Sequence, residues 1–174
     1  MNYFEFYEIP VSFLADEKII KQRYYLNSKN YHPDFFINES PEKQAAVLQL
    51  STVNNEAYRL FTNFDKRVEY VLTLTGQISA TEKHVLSPVF LMEMMDINEQ
   101  ISDLSTDNPD AIAAMFQTIA DLELDLNNYL QESCTKFDAH LSTENSDILA
   151  AIKDAFYRKK YLLRIKDSLN KFAI

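Results

Sequence analysis

Apolar positions recur at three- and four-residue spacing along most of the chain, and no stretch alternates convincingly with a period of two. That is the pattern of amphipathic helices. One helix is predicted from Asp16, its N-cap, to Asn30. Ile20, Tyr24 and Tyr31 fall on one side of it with Ile19 and Leu26 flanking, and Lys18, Lys21, Gln22, Tyr25 and Lys29 fall on the opposite side. Ser40-Pro41-Glu42 opens another, with a serine cap, a proline at the first helical position and an acid in the first turn. This helix is predicted to reach about Phe61, with Ala46, Leu50, Val53, Ala57 and Leu60 as its packing stripe. A short helix follows from Asp65 and ends at Gly76, placed where a left-handed C-cap is expected. Ser87-Pro88, Asn108-Pro109 and Thr143-Glu144 then open three long helices, over about 88–105, 110–135 and 144–172. Connections this short predict an antiparallel bundle. Ahead of all these, Tyr3-Phe4-Glu5-Phe6-Tyr7-Glu8-Ile9-Pro10 is an aromatic segment expected to pack into the core.

Composition supports the same reading. One Gly and five Pro leave little material for tight turns, and the 47% of hydrophobic residues is enough to build a core, so the expected fold class is all-α. A length of 174 residues suits one ordinary domain or two small ones. Charge narrows the partners: at −9 net, phosphates are repelled on average, which argues against nucleic acid. A single cysteine, Cys134, rules out an internal disulfide and suits a reducing compartment. No run approaches the ~18 apolar residues of a membrane span, and Met1-Asn2-Tyr3-Phe4-Glu5 lacks the start of a signal peptide, so no membrane partner and a cytoplasmic location are expected. Cys134, His84 and His140 form no ligand spacing, so neither a metal site nor a cofactor is expected.

Two places stand out as candidate chemistry. The first is Tyr31-His32-Pro33-Asp34, where the proline forbids helix continuation and leaves His32 and Asp34 on a loop between two helices. No nucleophile or metal cluster lies beside them in sequence, so a catalytic pair is not predicted. The lysine-bearing helix leading to this loop suits electrostatic steering towards an acidic partner surface. The second place is the helix after Ser87. Phe90, Met94, Ile97, Ile101 and Leu104 project within about 80° of one another and form the stripe assigned to the bundle core. Leu91, Met92 and Met95 point elsewhere, bordered by Asp96, Glu99 and Asp103. Either another part of this chain covers that second stripe, or it is a site for another protein.

Helix, His-Pro-Asp loop, helix resembles the J-domain, the module that stimulates ATP hydrolysis by heat-shock chaperones. Asn54-Asn55-Glu56-Ala57-Tyr58 matches the pattern near the end of its third helix, and Asp65-Lys66-Arg67-Val68-Glu69-Tyr70 resembles its short fourth helix. With Asn2-Tyr3-Phe4 at the start and Phe90-Leu91-Met92-Glu93 in an acidic three-helix region, essentially the whole chain resembles the HscB family of co-chaperones for iron–sulfur cluster assembly. The resemblance implies a J-domain over 1–76, a linker over 77–87 and a three-helix bundle over 88–174. It implies that His32, Pro33 and Asp34 stimulate an HscA-type ATPase, itself contacted by Lys18, Lys21, Arg23 and Lys29. It also implies that Leu91, Met92, Met95, Asp96, Glu99, Asp103 and Tyr161 bind an IscU-type iron–sulfur scaffold. The chain is then no enzyme itself but a bacterial co-chaperone. The alternative is a J-domain co-chaperone recruiting a different client. Phe35 and Phe36 follow the motif where J-domains often carry Lys or Arg, so the positive face is thinner than usual.

Overall fold

The computed structural model describes residues 1–79, 81, 84–139 and 145–172. Among these the elements are α1 (Tyr3–Tyr7), α2 (Glu17–Asn30), a 3-10 turn over Pro33–Phe36, α3 (Pro41–Phe61), α4 (Phe64–Leu74), α5 (Pro88–Ser102), α6 (Pro109–Ala139) and α7 (Ser146–Phe172). The fold is all-α, as the spacing predicts. The chain divides into two compact units, Met1–Leu74 and Thr75–Ile174. No helix among the described residues is long and apolar enough to cross a membrane.

Capping chemistry sets the helix starts. The side chains of Asp16, Ser40 and Ser87 accept from the N–H groups of Lys18, Lys43 and Phe90 at 2.7, 3.3 and 3.3 Å, satisfying donors that have no partner within a helix. Asn108 does the same for Ala111 at 3.1 Å. The start predicted at Thr143-Glu144 lies outside the described residues, as does His140. Two ends differ from expectation. The helix predicted over 88–105 stops at Ser102, because Ser105 draws the chain into a turn by accepting from the Asp107 N–H at 3.3 Å. The helix predicted to end near 135 continues to Ala139.

In the first unit α2 packs along α3, and α1 joins α2. Phe4, Tyr7, Phe13, Ile20, Val47, Ala57, Phe61, Val68, Val71 and Leu72 are buried. The aromatic segment forms α1, and Phe4 and Tyr7 set their rings 4.9 and 5.1 Å from that of Phe61. Its start is set by Asn2 and Glu5, which form a capping box in which each side chain accepts the other's N–H. The stripe predicted on α3 is corrected. Its buried line is Val47, Asn54, Ala57 and Phe61, whereas Ala46 is exposed and Leu50, Val53 and Leu60 are half-buried flanks. The reason is Asn54, whose Nδ2 donates to the Tyr24 carbonyl at 3.1 Å and to Ser28 Oγ at 3.0 Å. A hydrogen-bonded polar group takes a core position that hydrophobic spacing alone passes over.

The second unit has one core shared by three helices. Phe90, Met94, Ile97 and Ile101 of α5 meet Met115 and Ile119 of α6 and Leu162, Ile165 and Leu169 of α7. At 1.5 Å per residue, α5 is roughly 22 Å long and α6 roughly 46 Å, so α5 covers only about half of the α6–α7 pair. Beyond it, Leu130 and Cys134 of α6 and Ile152, Ala155 and Phe156 of α7 are also buried. The segment before α5 is tied there too. His84 stacks on Tyr157 with centroids 4.6 Å apart and places Nε2 3.1 Å from Asp154 Oδ1.

Candidate functional site

The His-Pro-Asp turn is built from both ends. Tyr31 closes α2 by donating its N–H to the Asn27 carbonyl at 2.9 Å. His32 is extended (φ −75°, ψ 122°) and caps the 3-10 turn, its Nδ1 accepting the Asp34 N–H at 3.3 Å. An accepting Nδ1 leaves the proton of the neutral ring on Nε2. Asp34 Oδ2 lies 3.7 Å from the same Nδ1, and the Phe35 ring stands 5.5 Å from the imidazole. On the far side Gln44 of α3 donates its amide to the Ile37 and Glu39 carbonyls at 3.0 and 2.9 Å. A loop held by a helix cap behind and an amide clamp ahead presents its side chains in a defined geometry. Those side chains remain open, His32 being 51% and Asp34 76% exposed. Beside them a concavity of about 440 Å³ is lined by Pro33, Phe36, Ile37, Ala45 and Leu48. The turn thus offers a ring N–H, a carboxylate and an apolar hollow to a partner.

Of the predicted basic residues, Lys18, Lys21 and Lys29 are exposed on α2. Arg23 differs: it is half-buried on the side turned towards the core, with Nη1 2.7 Å from Glu8 Oε2. The open positive face of this helix therefore rests on the three lysines.

The two faces of α5 separate cleanly. Phe90, Met94, Ile97 and Ile101 are buried, while Met92 and Met95 are each 66% exposed and Leu91 is half-buried. Asp96, Glu99 and Asp103 are exposed beside them, Asp103 as the C-cap just past the last helical residue. Within the second unit the second stripe is therefore open rather than covered. Tyr161 of α7 is half-buried, packing against the shared core with its ring edge-on to Phe90 at 6.1 Å. Part of it belongs to the core, and the Arg164 guanidinium lies over its ring, 5.1 Å from the centroid.

Three residues with structural duties escaped the sequence reading. Arg67 is buried and donates from Nε to the Phe13 carbonyl at 2.6 Å and from Nη1 to the Phe61 carbonyl. Lys159 is buried on α7, and Asp154 receives both His84 and Arg158, whose Nε lies 2.6 Å from Oδ2. Charged residues inside a helical pattern read as solvated by default, whereas packing buries Arg67 and Lys159 and sets His84 on the half-buried Asp154 from 70 residues away.

A helical N-terminal unit with an open His-Pro-Asp turn between its two longest helices, followed by a three-helix unit, defines the class of J-domain co-chaperones. Comparison with known proteins narrows it. Residues 86–170 match the family model described as the HSCB C-terminal oligomerisation domain. The chain is 28% identical over 174 residues to the co-chaperone protein HscB homolog of Psychromonas ingrahamii, covering 97% of this chain and 95% of the relative. It is 30% identical over 120 residues to the HscB homolog of Vibrio cholerae, covering 68% and 70%. Among solved structures, chaperone HscB from Vibrio cholerae superposes with a TM-score of 0.68 at 24% identity, over 99% of this chain and 97% of that one. The human co-chaperone HscB gives 0.75 at 22% identity, over 100% and 83%. The chain belongs to the HscB family of co-chaperones.

Proposed function

We propose that this chain is a bacterial cytoplasmic co-chaperone that binds an IscU-type iron–sulfur scaffold and delivers it to an HscA-type heat-shock ATPase, whose hydrolysis it stimulates. The observation that carries the reading is the open apolar stripe of α5, with Met92 and Met95 exposed beside Asp96, Glu99 and Asp103, on the same chain as an open His-Pro-Asp turn. In this reading Leu91, Met92, Met95 and the exposed part of Tyr161 supply apolar area to the scaffold, and the acids set its orientation. His32, Pro33 and Asp34 engage the ATPase more strongly in its hydrolysing conformation than in its resting one, which shifts the population. Lys18, Lys21 and Lys29 steer the encounter, with Arg23 contributing once released from Glu8. Carriage of both surfaces on one chain raises the effective concentration of scaffold at the ATPase. The boundaries proposed are a J-domain over 1–76, a linker over 77–87 and a scaffold-binding bundle over 88–174.

The test is single-turnover ATP hydrolysis by the cognate HscA-type chaperone with this protein added, with and without the scaffold. Synergistic stimulation, lost in His32→Gln and weakened in a Leu91/Met92/Met95→Ala variant, is expected. Stimulation indifferent to the scaffold would leave the turn its role and remove the scaffold assignment. An active chaperone that does not respond at all would overturn the whole reading.

A further inference from the structure

The open stripe of α5 is bordered by acids on one side only. Going round the helix at 100° per residue from the buried line, Asn98 comes first, then Leu91 and Met95, and the acidic positions last. Asn98 is where α5 meets α7. Together with Tyr161, Arg164, Ile165 and Ser168 it lines a concavity of about 220 Å³. Tyr161, Arg164 and Ser168 share one face of α7 through three- and four-residue spacing.

The donors of this hollow are unevenly used. The Asn98 amide donates to the Met94 carbonyl at 2.9 Å, and the Ser168 hydroxyl to the Arg164 carbonyl at 3.1 Å. The Arg164 guanidinium lies over the Tyr161 ring, 5.1 Å from its centroid, and has no carboxylate within 4.0 Å among the described residues. Its neighbours in sequence show the contrast, because Arg158 is matched by Asp154 and Lys166 by Glu123 at 2.6 Å. Stacking on the ring limits the freedom of Arg164 before any partner arrives, so a planar two-donor fork stands ready at the edge of the apolar stripe. The chemistry such a fork selects is a carboxylate, bound bidentately.

We infer that the Arg164 hollow receives an acidic side chain of the protein docked on Leu91 and Met95. The inference rests on the proposed scaffold reading and extends it. A partner must then carry basic groups facing Asp96 and Glu99 and an acid facing Arg164, on opposite sides of one apolar contact. A surface charged oppositely at its two edges fixes the direction in which that partner lies, which an acidic border alone does not do.

Isothermal calorimetry of the full chain with the cognate IscU-type scaffold tests this. Arg164→Glu is expected to weaken binding on the order of tenfold or more and Arg164→Lys by less, since a lysine keeps the charge and loses the fork. One Asp or Glu to Lys change on the scaffold is expected to weaken binding to the unaltered chain and to restore binding to Arg164→Glu. Far-ultraviolet circular dichroism of both variants should match that of the parent, Arg164 being exposed. If Arg164→Glu binds within about twofold of the parent while Met95→Ala is weakened, the inference falls and the scaffold reading stands. A loss that no scaffold charge reversal repairs also overturns it, because the arginine then acts only through Tyr161. A parent chain that does not bind the scaffold overturns both.

Discussion

Arg67 gathers two backbone carbonyls from distant points of the chain, Phe13 before α2 and Phe61 at the end of α3, and its guanidinium lies 5.8 Å from the Phe64 ring. Replacement by methionine keeps much of the volume and leaves both carbonyls without this donor. Arg67→Met is expected to lower stability by about 3 kcal/mol in urea unfolding, and Arg67→Lys to recover only part, since one ammonium cannot reach in two directions as a fork does. Tyr7 carries a prediction of another kind. Burial first, and then the neighbouring Tyr24 and Tyr58, push its phenol well above the usual value near 10. Its hydroxyl donates to the Asn54 carbonyl at 3.1 Å. The folded state therefore holds this proton where the unfolded chain gives it up. Stability from Tyr7 is fully present below the unfolded value and declines as pH rises past about 10. Unfolding midpoints measured between neutral and strongly alkaline pH should show that decline, and Tyr7→Phe should flatten it.

Among the elements, α5 makes the sharpest contrast, with two methionine environments on one helix of 15 residues. Met94 is 1% exposed within the shared core, so Met94→Ala removes packing and leaves a cavity, at an expected cost of about 2–5 kcal/mol. Met92→Ala on the open stripe is expected to change stability by less than about 0.5 kcal/mol. Denaturant titration of the two variants checks this, and equal costs would mean that the second stripe is packed. On α3 the corresponding test is Asn54→Ala. It removes the amide that joins Tyr24 and Ser28 to this helix and should cost about 1–3 kcal/mol, although spacing alone would rank Asn54 as dispensable.

For the whole molecule, the two units carry different work in the proposed function, so lesions should separate. His32→Gln is expected to abolish ATPase stimulation while scaffold binding stays at the parental level. A Leu91/Met95→Ala variant should do the reverse when the chaperone is assayed without scaffold. Calorimetry and single-turnover hydrolysis on the same preparations distinguish these outcomes. Stimulation should also weaken as salt rises from about 0.05 to 0.3 M, because Lys18, Lys21 and Lys29 are exposed charges acting over roughly a Debye length. A flat salt response would remove the steering role of that helix.

What the sequence by itself determined was local. Asp16, Ser40, Ser87 and Asn108 announce helix starts because a cap depends on residues two or three positions away, and Gly76, at φ +71°, marks a stop for the same reason. Periodicity on α5 likewise separated Phe90, Met94, Ile97 and Ile101 from the open residues, since one helix turn relates them. The His-Pro-Asp motif was legible as a loop from its proline alone. Tertiary structure decided everything that depends on which surfaces meet. It moved the α3 stripe onto Val47 and Asn54, paired Arg23 with Glu8, drew Arg67 inward and left Arg164 open beside Tyr161. In the first three of these a polar or charged side chain is defined by a partner far away in sequence. Hydrophobic spacing carries no record of such partners, and only packing brings them within hydrogen-bonding distance.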